Sequence, residues 1–360
     1  MLEPGRVFMI AEAGVNHNGM LKLAHELVDA AAQAGSDAVK FQTFRADALA
    51  SPRAPKAKYQ EKTTGASESQ YDMLRKLELD PAAHRSLAAH CRERGLVFLS
   101  TPFDLESLAL LVEINVPAIK ISSGDLTNGP LLHAAARTGK PLILSTGMAT
   151  LEDIGRALAL VAWTALEKRE PSGAEALRDA YSSAAGRRAV TERVTLLQCT
   201  TDYPAGVADL NLRAMHTLKE RFGTQVGFSD HSTGSSAAIA AAALGAVVIE
   251  KHLTLDRSMQ GPDHAASLEP GDFAALVTGV REVEQALGNG DKRPVASELA
   301  NAVAARKSLV AMRPVRKGEP FTTQNLAVMR PGGGISPMRY WEWLGKAATR
   351  DYAAGQLIQP

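Results

Sequence analysis

Short apolar runs that end in polar residues recur along the chain as far as His252. The first is VFMIAEAGVNHNG, and seven more follow from Val39 onward: AVKFQT, LVFLSTP, AIKISSGD, LILSTG, TLLQCTTDYP, QVGFSDH and VVIEKH. Between them lie stretches such as LKLAHELVDAAAQAG, whose apolar residues recur at helical spacing. Eight alternating strands and helices predict a parallel (β/α)8 TIM barrel, an α/β fold whose active site lies at the carboxyl ends of the strands.

The length of 360 residues leaves room for a second domain, because one such barrel takes about 250 residues. We predict a barrel domain over residues 1–287, a polar linker over 288–303 and a small domain over 304–360. In the last segment, short apolar pieces alternate with Gly and Pro turns. So short a segment buries little apolar surface, and we therefore expect it to lean on a partner.

Two segments interrupt the alternation of strands and helices. Residues 44–80 are polar and rich in Lys, Ser and Thr. They predict a long excursion over the barrel mouth, either a lid or a solvated loop. Residues 163–190 predict an extra turn or helix after the fifth strand, with no chemistry assigned to it.

Composition excludes several classes of partner. The formal net charge is +1 and the charged residues are evenly mixed, so we expect no nucleic-acid partner and no anionic membrane surface. No run approaches the roughly 18 apolar residues of a membrane span, and the start lacks a signal-peptide pattern, which favours the cytoplasm. Cys91 and Cys199 fall in a predicted helix and a predicted strand, as expected of free thiols.

Cations and hydroxyls cluster at the predicted strand ends. Lys40 and Lys120 would point into the barrel mouth, where each either pairs with a neighbouring carboxylate or meets an anionic ligand. Ser123, Ser145 and Ser229 end strands beside Gly or Asp, where hydroxyls and backbone N–H groups can hold phosphate oxygens. Together these five residues predict a site for a phosphorylated substrate.

Two histidines are the metal candidates. His231 and His252 end consecutive strands, and imidazoles so placed suit a divalent metal with open positions for substrate and water. Glu250 flanks His252 two positions before it. Glu12 and Asp263 are further strand-end acids that can bond sugar hydroxyls, move a proton or cap a helix.

At this point the chain resembles the sialic acid synthase family, which condenses phosphoenolpyruvate (PEP) with an N-acyl amino sugar to make nonulosonic acids. The matching motifs occur in order over nearly the whole chain: IAEAGVNHNG, VKFQT, FLSTPFD, IKISSGD, LSTGM, CTTDYP, GFSDH, IEKH, GPDH, VRKGE and MRPGGGIS. The resemblance implies that the small domain is an antifreeze-like (SAF, β-clip) domain. It also implies a homodimer in which that domain covers the partner's barrel.

The resemblance implies a role for each matching residue. The implied PEP pocket comprises Lys40, Gln42, Thr101, Lys120, Ser123, Ser145 and Ser229. His231 and His252 are the implied ligands of Mn²⁺ or Mg²⁺. Glu12, Tyr203 and Asp263 are the implied sugar contacts, and Arg330 is the residue implied to come from the partner chain. Apart from the resemblance, Glu12, Glu250 and Asp263 are the candidate proton carriers of the reaction, and the sequence does not rank them.

Three positions depart from the family pattern. Thr201 stands where sialic acid synthases carry Asn, Gln198 where they carry His, and Asp125 where they carry Glu. These departures leave the PEP chemistry intact and bear on which sugar is used. The sequence favours an N-acylmannosamine, which gives a sialic acid, only slightly.

Other functions remain open at this point. Because CTTDYP also resembles legionaminic acid synthases, the first alternative sugar is 2,4-diacetamido-2,4,6-trideoxymannose. A Schiff-base aldolase with Lys120 or Lys40 as nucleophile, and a non-catalytic sugar-binding protein, are less favoured. A PEP-dependent synthase for a phosphorylated aldose would lack the C-terminal domain.

Overall fold

The structure of the chain is a computed structural model that describes residues 2–65 and 67–359. Its strands are β1 (Phe8–Gly14), β2 (Ala38–Thr43), β3 (Val97–Pro102), β4 (Ile119–Ile121), β5 (Leu142–Ser145), β6 (Val194–Cys199), β7 (Gln225–Asp230), β8 (Val248–His252), β9 (Ser308–Ala311) and β10 (Leu326–Met329). Its helices are α1 (Leu21–Gln33), α2 (Ala46–Leu49), α3 (Lys58–Thr64), α4 (Gln70–Arg75), α5 (Pro81–Glu93), α6 (Leu105–Ile114), α7 (Gly129–Arg137), α8 (Leu151–Leu166), α9 (Ala174–Ser182), α10 (Ala184–Arg193), α11 (Ala214–Phe222), α12 (Ser236–Ala243), α13 (Pro270–Leu287), α14 (Ala296–Ala305) and α15 (Tyr340–Trp343). Within the described residues, no helix combines the length and apolarity that a bilayer crossing requires.

The first eight strands form one parallel sheet in the order β3-β2-β1-β8-β7-β6-β5-β4. The two strands at the ends of that order, β3 and β4, also lie beside each other, which closes the sheet into a barrel. A crossover with at least one helix joins each strand to the next, as parallel pairing requires. The predicted TIM barrel is therefore confirmed.

The barrel interior has an apolar layer below a polar layer. The apolar layer comprises Phe8, Ile10, Ala38, Leu99, Ala118, Ile143, Leu197 and Val248. Since side chains alternate between the two faces of a strand, the residue two positions further along points into the same interior. Those residues are mainly polar, as with Glu12 after Ile10, Lys40 after Ala38 and Glu250 after Val248. The apolar layer thus fills the barrel, while the polar layer faces its open carboxyl end.

The excursion after β2 contains α2, α3 and α4. Met73 and Leu77 pack with Val15 and Phe44 in a small buried cluster, which anchors the excursion to the loop after β1. The second interruption folds as α9 and α10, two helices where the sequence predicts an extra turn or helix. Cys91 and Cys199 are both free and buried, as predicted.

The chain divides into two compact units, Met1–Gly288 and Asn289–Pro360. In the second unit, β9 and β10 pair antiparallel, and Phe321 contacts Trp343 and Tyr352 with ring centroids 5.9 Å apart in both pairs. Helix α14 begins inside the stretch that the sequence predicts to be a linker. This unit has its own small apolar core.

Candidate active site

A cavity with a volume of about 380 Å³ opens at the carboxyl ends of the barrel strands. All the barrel residues predicted for the site line it: Glu12, Lys40, Gln42, Thr101, Lys120, Ser123, Ser145, Tyr203, Ser229, His231, Glu250, His252 and Asp263. Arg330, the remaining predicted residue, lies in the second unit, where its exposed side chain donates to the carbonyl of Ala305 over 3.1 Å.

Strand register brings the polar residues together. Glu12 on β1 is the register partner of Lys40 on β2 and of His252 on β8. Ser229 on β7 is in turn opposite Glu250 on β8. Because parallel neighbours in register point their side chains the same way, this pairing fixes one continuous polar surface.

Two lysines and two glutamates form a buried charge cluster at the base of the cavity. Lys40 Nζ lies 2.7 Å from Glu12 and 3.7 Å from Glu250. Lys120 Nζ lies 3.5 Å from Glu250. Each lysine also donates to a hydroxyl, Lys40 to Thr101 over 3.0 Å and Lys120 to Ser145 over 2.7 Å. Each lysine therefore pairs with a carboxylate, the first of the two possibilities, and each also lines the cavity.

Burial and neighbouring charges shift the pKa values of Glu12 and Glu250 in opposite directions. Burial raises the pKa of Glu12, and Lys40 offsets only part of that shift. Burial alone would also raise the pKa of Glu250, but Lys120 and Lys40 together lower it below its usual range. Glu12 is thus suited to carry a proton near neutral pH while Glu250 stays ionised. With Glu12 protonated, the cations in the cluster outnumber the anions.

The pKa values of Lys40 and Lys120 are also shifted in opposite directions. Burial alone would lower the pKa of Lys40, but Glu12 and Glu250 raise it. Burial lowers the pKa of Lys120, and Glu250 offsets only part of that shift. Among the residues that the structure describes, Lys120 pairs with one carboxylate, whereas Lys40 pairs with two. It is the cation that gains more from an anionic ligand.

The imidazoles of His231 and His252 lie side by side, with ring centroids 5.6 Å apart. His231 donates from Nδ1 to the carbonyl of Thr200 over 2.6 Å, so Nε2 carries the lone pair, and the Ser229 hydroxyl lies 3.4 Å from it. Burial lowers the pKa of His231 to about 4 and that of His252 well below its usual range. Both rings are therefore neutral at physiological pH, the form in which imidazole binds metals.

These features fit the divalent ion that the sequence predicts. A metal-binding imidazole commonly donates its other N–H to a backbone carbonyl, as His231 does. His252 Nδ1 is buried and has no hydrogen-bond partner within the described part of the chain. Residues 2–65 and 67–359 contain no group of three or more His, Cys, Asp or Glu arranged as a metal site. Two imidazole ligands would leave the other positions to substrate and water.

A backbone N–H group and two small side chains meet beside Lys120. The N–H of Gly147 donates to Ser123 Oγ over 3.0 Å and lies 3.1 Å from Cys199 Sγ. A Cβ atom at position 147 would collide with Thr201 Oγ1 and lie 2.9 Å from Ser123 Oγ. Glycine therefore keeps this corner of the site open.

Two tyrosines and an acid form the opposite wall. The Tyr203 ring lies 4.2 Å from that of His231 and 4.9 Å from that of Tyr59, measured between centroids. Burial raises the pKa of Asp263 to about 6. No strand-end motif marks Tyr59, which belongs to α3 in the excursion and was not predicted for the site. The contact of Cys199 with Ser123 was not predicted either, although the alternation along β6 places Cys199 inward.

The three departures from the family pattern lie in different places. Thr201 lines the cavity. Gln198 points elsewhere, and its amide donates to the carbonyl of Leu210 over 3.1 Å. Asp125 accepts from Ser122 Oγ over 2.7 Å within the turn after β4. Thr201 is therefore the departure with direct access to a bound ligand.

Known proteins match this chain over nearly its whole length. The NeuB family matches residues 27–292 and the SAF domain matches residues 306–360. The chain is 47% identical over 354 residues to the N,N'-diacetyllegionaminic acid synthase of Campylobacter jejuni, covering 98% of this chain and 99% of that one. It is 40% identical over 351 residues to the enzyme of the same name from Legionella pneumophila, and the match covers 98% of this chain and 93% of that one.

A solved structure agrees. The N-acetylneuraminic acid (sialic acid) synthetase of Leptospira borgpetersenii, crystallised with citrate, is 34% identical, with a TM-score of 0.66 over 82% of this chain and 90% of that one. Fold, motif order and sequence identity thus agree along both units. The chain therefore belongs to the NeuB family and is an enzyme of the nonulosonic acid synthase class with a C-terminal SAF domain.

Proposed function

We propose that the chain condenses PEP with 2,4-diacetamido-2,4,6-trideoxymannose and water to give a legionaminic acid and phosphate. The observation that carries this proposal is the pairing of a buried lysine cluster with two neutral imidazoles in one cavity. The cluster suits an anionic enol phosphate, and the imidazoles lie beside the wall where a sugar would sit. The reaction requires both partners in one cavity.

The anion would lie against Lys120. Lys120, Ser145 and Ser123 supply donors on one side of the cavity, and the N–H of Gly147 orients the Ser123 hydroxyl by donating to it. Charge-assisted bonds from such groups are stronger than neutral ones, and burial strengthens them further. The cavity floor beneath them is apolar, so water does not compete from below.

The condensation forms a carbon–carbon bond and a carbon–oxygen bond to water, and it breaks the carbon–oxygen bond to phosphate. The methylene carbon of PEP attacks the aldehyde carbon of the open-chain sugar, whose oxygen takes up a proton. Water adds to the resulting cationic centre and loses a proton, and the tetrahedral intermediate releases phosphate. Glu12, with its raised pKa, is placed to supply the proton, and the ionised Glu250 stabilises the positive charge that develops.

A divalent ion, Mn²⁺ or Mg²⁺, bound by His231 and His252 would supply Lewis acidity at the aldehyde oxygen. Tyr203 lies against both imidazoles, with ring centroids at 4.2 Å and 5.6 Å. Its ring restricts their movement and shields them from bulk water. Asp263, which lines the same cavity, is available to the sugar hydroxyls.

The apolar side of the cavity supports the choice of sugar. Its lining includes Val15, Leu49, Met73, Leu74, Leu77 and Phe103. The proposed sugar carries a methyl group at C6 and an acetamido group at C4, where N-acetylmannosamine has hydroxyls. An apolar wall favours methyl groups and leaves hydroxyls without partners. The relatives from Campylobacter jejuni and Legionella pneumophila support the same choice.

The lowered pKa of Lys120 favours a second candidate, a Schiff-base aldolase with Lys120 as nucleophile. Borohydride reduction with both substrates present separates the two. A Schiff base would be trapped as a stable adduct on Lys120, whereas the proposed condensation leaves the lysine unmodified.

A homodimer completes the proposal, with Arg330 acting at the partner's site. The second unit exposes large apolar side chains, Leu299 and Val303 on one face of α14 and Trp341 on α15. Surfaces of this kind are typical of protein interfaces. The cytoplasm is the proposed compartment, which agrees with two buried, free cysteines.

The first prediction concerns sugar preference. We expect kcat/KM to be at least about tenfold higher for 2,4-diacetamido-2,4,6-trideoxymannose than for N-acetylmannosamine, because each buried methyl contributes about 0.8 kcal/mol or more. Phosphate release measured with each sugar at saturating PEP gives the ratio. Equal specificity constants would contradict the choice of sugar while leaving the reaction class intact.

Two departures from the family pattern offer a matched pair of variants for this assay. Thr201→Asn alters a cavity residue and should change the sugar preference. Gln198→His alters a residue that bonds the backbone of Leu210 and should leave the preference as it is. If both variants behave like wild type, the preference is set elsewhere in the cavity.

The second prediction concerns the shared site. Arg330→Ala should be nearly inactive alone, and Lys120→Ala should retain roughly a tenth or less of the wild-type rate when PEP is kept well below the wild-type KM. Mixed under conditions that exchange subunits, they should recover roughly one quarter of wild-type activity, because about half the dimers are mixed and half of their sites are intact. Phosphate release after mixing measures the recovery, and native mass spectrometry verifies the exchange. No recovery despite verified exchange would mean that Arg330 does not act across the dimer.

A further inference from the structure

Directly behind the two imidazoles lies a second buried ion pair, between Asp230 on β7 and Lys251 on β8. The carboxylate and ammonium groups are 2.9 Å apart, and both side chains are fully buried. Because Ser229 and His231 face the cavity, the alternation along β7 places Asp230 on the outer face of the barrel wall. The same alternation places Lys251 outside, between Glu250 and His252.

The pair joins two strands at one level. Asp230 and Lys251 are direct register partners of the parallel β7–β8 ladder. Each is the immediate neighbour in sequence of one imidazole, Asp230 of His231 and Lys251 of His252. Any slip between the ends of β7 and β8 would therefore separate the ion pair and the two imidazoles together.

Both charged groups also hold the turn that follows β7. Asp230 Oδ1 accepts from the N–H of Ser232 over 2.8 Å. Lys251 Nζ donates to the carbonyl of the same residue. His231 thus lies between Asp230, which is paired with Lys251, and Ser232, whose backbone bonds to both charged groups. The backbone of His231 therefore has little freedom to turn the ring away from the cavity.

Stability alone does not account for such a pair. Burying two charges costs several kcal/mol each, and well-packed apolar residues at such sites are often equally or more stabilising. An ion pair differs from an apolar contact in being directional, because it fixes the position of particular atoms. This one fixes the backbone that carries both proposed metal ligands.

We propose that Asp230 and Lys251 are positioning residues that hold His231 and His252 at the spacing needed to bind one divalent ion. The inference rests on the proposed function, in which these imidazoles are metal ligands. Partners that orient metal ligands in this way typically contribute about tenfold to a hundredfold to metal affinity.

The test is calorimetric titration of the full-length protein with Mn²⁺ alone, which requires no substrate and no turnover. Each single variant, Asp230→Asn or Lys251→Met, leaves the other charge buried without its partner, and Lys251→Met also loses the bond to the Ser232 carbonyl. Either single variant is therefore expected to be less stable. The double variant Asp230→Asn/Lys251→Met removes both charges, so no buried charge remains unpaired. We expect this variant to stay folded by circular dichroism and to bind Mn²⁺ about tenfold to a hundredfold more weakly than wild type.

Asp37→Asn is the matched control. Asp37 forms a partly buried ion pair with Arg281 over 2.8 Å, and it also accepts from the N–H of Met9 near the start of β1, at the opposite end of the barrel. This variant should lower the melting temperature without changing Mn²⁺ affinity. If Asp230 and Lys251 had a purely structural role, the double variant would likewise have a lower melting temperature and an unchanged Mn²⁺ affinity.

The outcomes distinguish the inference from the function on which it rests. If the folded double variant binds Mn²⁺ as tightly as wild type does, the positioning role is overturned and the metal site is not. An absence of Mn²⁺ binding to wild type would overturn the metal site and the positioning role together. Weakened binding in the double variant, with wild-type affinity in Asp37→Asn, supports both.

Discussion

The variant His252→Ala is expected to release phosphate from PEP roughly a hundredfold or more slowly than wild type, because Lewis-acid stabilisation of a transition state is worth several kcal/mol. His231→Ala should show a loss of similar size, since the two rings lie side by side. A phosphate-release assay in Mn²⁺-supplemented buffer measures the effect. Exhaustive chelation of the wild-type enzyme should reproduce it, and added Mn²⁺ should reverse it.

His216→Ala is the control for both histidine variants. His216 is an exposed residue on α11 that pairs with Glu220 over 2.9 Å, so its loss should leave activity and metal dependence unchanged. Full activity in either site variant, or full activity of wild type in chelator, would refute the metal role of the imidazoles.

Lys120→Met is expected to raise the KM for PEP about tenfold to a hundredfold, because a hydrogen bond to a charged group contributes about 1.5 to 3 kcal/mol. The fold should survive, since Glu250 keeps Lys40 at 3.7 Å and accepts from Ser229 over 3.0 Å. Initial rates over a range of PEP concentrations at saturating sugar give KM and kcat separately.

Lys22→Met serves as the control for this experiment, because Lys22 lies on α1 with most of its side chain in solvent. An unchanged KM for PEP in Lys120→Met would exclude Lys120 from the anion site. Complete loss of turnover at every PEP concentration, together with borohydride trapping in wild type, would instead support the Schiff-base alternative.

Much of the site follows from a pattern that is visible in the sequence. Apolar and polar residues two positions apart, such as Ile10 and Glu12 or Val248 and Glu250, mark the inward face of each strand. In a closed parallel barrel, all inward residues at strand ends converge on one cavity. The motifs therefore predict both the barrel and the residues that line its open end.

The pattern does not predict which side chains contact one another. The contact of Lys40 with both Glu12 and Glu250 depends on β1 lying between β2 and β8, a consequence of barrel closure rather than of any one motif. Tyr59 lies on a helix of the excursion, where no strand register indicates its direction. Lys251 faces outward, so a search for strand-end chemistry passes over it.

The alternation of inward and outward residues also determines which genetic changes this site can tolerate. Along β7 and β8, cavity-facing residues alternate with Asp230 and Lys251, which face the surrounding helices. A substitution alters one side chain, but a single-residue insertion or deletion within either strand exchanges its two faces. A one-codon insertion before Ser229 would direct a charged side chain into the cavity and His231 into the protein interior. Natural variation at these strand ends should therefore consist of substitutions, with length changes confined to the connecting loops.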